Sequence, residues 1–86
     1  MKNIEKLYHK MPKNFMTPNI KEVYFRADNK KVIELSKGEG FSGNDIFGVS
    51  EFETAKTLYG LQTTERSKMF YDIKEARKYF NDLKLR

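Results

Sequence analysis

The 86-residue sequence predicts an α+β fold: a three- or four-stranded antiparallel sheet, packed on one face by a C-terminal amphipathic helix, with a short N-terminal helix alongside. Three observations carry this expectation. Residues 21–36 hold two runs of period-two alternation around Asp28-Asn29-Lys30. Residues 72–85 carry apolar side chains at helical spacing. Four of the five glycines (Gly38, Gly40, Gly43, Gly48) cluster where one strand-like run ends and the next begins.

Taken in order, Ile4, Leu7 and Tyr8 sit at helical spacing within residues 2–10, with Asn3 placed to cap the helix and Pro12 to end it. Residues 11–19 hold two prolines and no periodicity, so they read as an extended connector. Phe15 and Met16 are expected to pin it to the domain. In residues 21–36, Val23, Phe25 and Ala27 alternate with Glu22, Tyr24 and Arg26. Ile33 and Leu35 alternate with Val32, Glu34 and Ser36. Asp and Asn tolerate the left-handed positions of a tight turn. The pattern therefore reads as a β-hairpin with one apolar and one mixed face.

The glycine stretch follows as a loop, and Asp45 to Ser50 as a third strand. Gly48 within it marks a bulge or a close backbone contact. In residues 50–60, Ser50-x-x-Glu53 matches a capping box and Phe52, Ala55 and Leu58/Tyr59 share a helical face. Gly60 is placed to close such a helix, so a short helix is expected. A strand continuing through Phe52, with a fourth strand in 56–63, is the competing reading. Residues 61–68 read as a polar surface loop and Lys68 to Tyr71 as a strand-like entry. The last helix begins at Asp72-x-x-Glu75, and Ile73, Ala76, Phe80 and Leu83 form its apolar stripe. A helix this short is marginal alone, so it must lie on the sheet. The whole chain, 1–86, reads as one domain: helix and connector in 1–19, sheet and helix body in 20–86.

Composition narrows function. With no cysteine, a disulfide scaffold, a thiolate zinc site and a cysteine nucleophile are excluded. No apolar run approaches the ~18 residues of a membrane helix. The first ten residues lack the apolar core of a signal peptide, so a cytoplasmic location without membrane contact is expected. The net charge of +5 permits attraction to an acidic protein or to nucleic acid.

Gly38 to Gly43 is a literal G-x-G-x-x-G. In a dinucleotide fold it would open a helix, but a strand-like run follows it. A kinase glycine loop joins two strands, yet Asp45 stands where that pattern wants valine. Gly40-Phe41-Ser42-Gly43 departs from a nucleophile elbow at Asn44, and the one histidine, His9, lies among lysines. Catalytic residues, a cofactor and a metal site are therefore not assigned, and no enzymatic activity is expected.

The favoured function is non-catalytic binding of another protein through loop 38–44. Phe41 is its anchor, Ser42 and Asn44 are its polar contacts, and Lys30, Lys31 and Lys37 form a cationic rim. The alternative is single-stranded nucleic acid on an open sheet face carrying Tyr24, Arg26, Lys31 and Phe47. A weaker one is an anion or nucleotide held by the backbone N–H groups of the glycine loop. In size and Lys/Asn content the chain resembles small accessory proteins of phages and mobile elements.

Overall fold

The structure, a computed structural model, describes residues 4–86, so the Asn3 cap lies outside it. The chain runs α1 (Ile4–Lys10), β1 (Asn19–Phe25), β2 (Lys31–Glu39), β3 (Asp45–Thr54), β4 (Leu61–Thr63), β5 (Lys68–Phe70) and α2 (Ile73–Lys84). The sheet is antiparallel in the order β1-β2-β3-β4, with β5 also paired to β3. β4 pairs with Phe52–Thr54 and β5 with Phe47–Val49. Because β2 occupies the other edge of β3 throughout, β4 and β5 form one interrupted fourth strand.

Register sets the layering. Tyr24 lies opposite Ile33 and Phe25 opposite Val32. Val23 and Phe25 therefore share a face with Val32 and not with Ile33 and Leu35. A shift of one residue in pairing sends a whole alternating set to the other side. This corrects the expectation of a hairpin with a single apolar face: both faces of the sheet are covered. On one, α2 lays Ala76, Phe80 and Leu83 on Ile33, Leu35, Phe47 and Val49. On the other, α1 packs Ile4, with Leu7 and Tyr8 around it, on Val32, Phe52 and Leu61.

Both helices begin on a side-chain acceptor. The Asp72 carboxylate takes the Lys74 N–H at the start of α2, as the sequence predicts. The Ile4 N–H donates to Asn29 Oδ1 at 3.0 Å, so the β1–β2 turn caps α1. Asn29 makes this contact from a left-handed turn position at φ 62, with the preceding Asp28 carboxylate taking the Lys30 N–H. A helix of seven residues has little stability of its own, and this contact and its apolar stripe fasten it to the sheet.

The connector is held differently from expectation. Phe15 and Met16 point outward, and Thr17 is the pinned residue, with Ser36 Oγ donating to Thr17 Oγ1 at 2.8 Å. The connector can settle there because the sheet beneath it lacks bulk. A Cβ on Gly48 would stand 3.1 Å from both Ser36 Oγ and Thr17 Oγ1. Gly48 is thus a close-contact glycine, and the β2–β3 register passes through it without a shift.

Residues 50–60 do not form the expected helix. β3 runs on to Thr54, a turn follows, and β4 covers only Leu61–Thr63 of the competing strand 56–63. A capping box is worth about 1 kcal/mol. The strand conformation instead completes the pairing of Phe52 and Glu53 with β2 and buries Phe52 and Leu61 against α1. Gly60, at φ +81, is a turn glycine whose carbonyl accepts the Ala55 N–H. The surface loop expected at 61–68 is reduced to the link between β4 and β5.

Candidate functional site

Two surfaces stand out, and they meet at Phe15. The first is the tip of the β2–β3 loop. Gly40 N–H donates to the Asn44 carbonyl at 2.8 Å, Gly43 N–H to the Gly40 carbonyl at 3.0 Å, and Asn44 Nδ2 to Ser42 Oγ at 3.0 Å. These bonds tie the loop to itself and occupy the Gly40 and Gly43 N–H groups. In the loop of the anion or nucleotide reading, the Gly40 and Gly43 amides point at loop carbonyls. Ser42 and Asn44 likewise bond to each other.

Phe41 is fully exposed at this tip and Phe15 is 89% exposed beside it. With Met16, Pro18 and Gly40 they line a shallow pocket of about 460 Å³. Exposed Tyr71 flanks the loop on its other side, sharing a second depression with Asn44 and Asp45. Lys37 stays near, bridged to Asp45 at 3.5 Å. Lys30 and Lys31 do not join them. They stand at the far end of β2, about 25 Å away at ~3.3 Å per residue, and Lys31 pairs with Glu51.

Of the residues in the nucleic-acid reading, the two aromatics lie towards α2 and the two cations are paired. Phe47 is 7% exposed beneath α2, and Tyr24 packs at the edge of the same core with Lys84 over its ring. Arg26 is paired to Asp28 and Lys31 to Glu51. These four residues make no open stacking platform, because the register turns Tyr24 and Phe47 towards α2.

The second surface was not anticipated. Between α1, the connector and the sheet lies a groove of about 650 Å³, lined by Met11, Phe15, Ile20, Val23 and Phe52, with Glu34 and Tyr8 among its walls. Glu34 is only 7% exposed. Tyr8 Oη donates to its Oε2 at 2.5 Å, and no protein cation pairs with it among the described residues. Burial raises the Glu34 carboxyl above the usual range, opposed only in part by the Tyr8 hydrogen bond. Burial and the adjacent carboxylate also push the Tyr8 phenol upward. One signal for this site was present in the sequence: a charged residue inside the apolar run Val32-Ile33-Glu34-Leu35.

The raised carboxyl has a signed consequence. The folded state holds the Glu34 proton more tightly than the unfolded chain does. Its stabilising effect is complete below the ordinary glutamate value of about 4.3 and is lost as pH rises through the folded value. Glu34→Gln should therefore be at least as stable as the parent at pH 7, with any advantage closing near pH ~4. Thermal unfolding of both proteins at the two pH values checks this.

Among the described residues, no group of three or more metal-ligating side chains comes together, and no helix is long and apolar enough to cross a membrane. The chain matches no family model, no curated protein and no solved structure.

Proposed function

We propose that this chain is a non-catalytic protein-binding domain whose contact surface is the aromatic tip built from Phe41 and Phe15. The observation that carries this reading is the exposure of both rings, from segments far apart in sequence, around one pocket. Large apolar side chains gathered at one end of a small domain mark interaction surfaces, and buried aromatics supply much of an interface's energy. The hydrogen-bonded loop lowers the entropy lost on binding. A partner suited to this tip offers an apolar cleft able to take two rings. Pairing through the free edge of β1 is less favoured, because a register shift between Ile20 and Glu22 breaks that edge and Lys21 lies in it.

The test is affinity capture from the native host with nuclease present, repeated with Phe41→Ala and with Phe15→Ala. A protein retained by the parent should be weakened at least ~10-fold by either variant, since such anchors carry ~1.4 kcal/mol or more. Both variants should keep stability within about 0.5 kcal/mol of the parent, because the rings touch solvent. Retention that disappears with nuclease would point to nucleic acid instead. A large fall in stability would show that the rings are structural.

A further inference from the structure

We infer that the groove between α1, the connector and the sheet is a binding site for a small organic amine: an alkylammonium head on Glu34 with its apolar stem along Met11, Val23 and Phe52. The inference is independent of the aromatic tip.

Three observations carry it. First, the groove's volume of about 650 Å³ falls within the roughly 300–1,000 Å³ of small-molecule sites, and like them it is mostly apolar with a few polar groups. Second, its wall holds a buried carboxylate that the protein leaves half used. Glu34 Oε2 takes the Tyr8 hydrogen bond, while Oε1 accepts none from the described residues. Since no buried side-chain oxygen lacks a partner, Oε1 reaches the open groove. A buried charge without a counter-ion is costly, and a cationic ligand relieves that cost. Third, the neighbouring groups suit a compact ammonium. Ser50 lies directly across from Glu34 on β3 and lines the same groove. Tyr8 Oη, its own proton given to Glu34, keeps lone pairs for a second donor.

An ammonium has three donors to distribute over Glu34 Oε1, Tyr8 Oη and Ser50 Oγ. A guanidinium prefers both oxygens of one carboxylate, and here one is taken. His9 and Lys13 also line the groove, but both side chains are exposed to water at its mouth, where repulsion is screened.

The experiment titrates n-hexylamine, and separately hexan-1-ol, into the intact chain at pH 7 while following backbone amide shifts. Saturable shifts at Tyr8, Glu34, Ser50 and Phe52 are expected, with hexylamine at least ~10-fold tighter than the alcohol, as a charge-assisted hydrogen bond requires. Glu34→Gln should abolish that preference and Ser50→Ala should weaken hexylamine several-fold. Equal affinity for amine and alcohol, an unchanged preference in Glu34→Gln, or no saturable shift overturns the inference. Tighter binding by a capped lysine-containing peptide than by hexylamine overturns the assignment to a free amine.

Discussion

Gly38→Ala is expected to destabilise the domain by about 3 kcal/mol, which for a chain of this size lowers Tm by on the order of 15 °C. A Cβ on Gly38 would stand 1.8 Å from the Met16 carbonyl oxygen, 2.8 Å from its carbon and 2.9 Å from Thr17 Cα. All three are backbone atoms, so no side chain can rotate away. The connector would have to lift, exposing Thr17 and breaking its bond with Ser36. The other motif glycines provide internal comparison. Gly43, at φ +80 in open space, should cost about 1 kcal/mol as alanine through backbone strain alone. Gly40→Ala meets Ile46 Cγ2 at 3.5 Å and Asn44 O at 3.6 Å, ordinary contacts, and should cost least. Denaturation of the three variants checks the order, and equal losses would contradict it.

Glu51→Gln should cost about 2 kcal/mol at pH 7, and whereas Glu34→Gln gains on the parent as pH rises, Glu51→Gln should lose ground. Glu51 is 2% exposed. Its Oε1 accepts Thr64 Oγ1 at 2.7 Å, Arg66 Nη1 at 3.3 Å and Lys31 Nζ at 3.5 Å. Its backbone holds the link between β4 and β5: Thr64 N–H donates to the Glu51 carbonyl at 2.9 Å and Glu51 N–H to Ser67 Oγ at 3.1 Å. Burial alone would raise this carboxyl, but the Thr64 hydrogen bond and the Lys31 and Arg66 charges bring it below the usual range. The sign is therefore opposite to that of Glu34. The stabilisation is present above about pH 4.3 and is lost as pH falls through the lower folded value. The amide keeps the shape and removes the charge, leaving two cations that are only partly hydrated. The gap between parent and variant should be full at pH 7 and narrow in acid. A constant gap would assign Glu51 a packing role only.

These two carboxylates illustrate what was legible. Glu34 lies in a strand that alternation locates, and its place inside an apolar run is its one local signal; Glu51 falls in the stretch 50–60 where local pattern favours a helix, and nothing local marks it. Glu51 finds Arg66 and Thr64 only because β4 and β5 share one edge of β3. Glu34 is left without a cation because its face meets the apolar stripe of α1. At the proposed contact surface, Phe41 was identifiable as a large side chain among glycines. Phe15 was assigned to anchoring because an apolar residue in a connector looks the same from sequence whether it faces in or out.

What the sequence by itself determined is local: the β1–β2 hairpin with its Asp28-Asn29 turn, and the amphipathic helix α2 with its Asp72 cap. It also determined the absence of thiol chemistry. Each follows from residues a few positions apart, where steric preference and periodicity act directly. The tertiary structure decided the rest through contacts distant along the chain. Register sent Val23 and Phe25 to one face and Ile33 and Leu35 to the other, so the sheet is covered on both sides. Pairing with β2 outweighed a local capping box and kept Ser50–Thr54 extended. The connector's crossing gave Gly38 its reason, while the neighbouring glycines of the same motif answer to a turn and to loop geometry. A spacing pattern could not separate these roles, because the atoms that impose them belong to other segments.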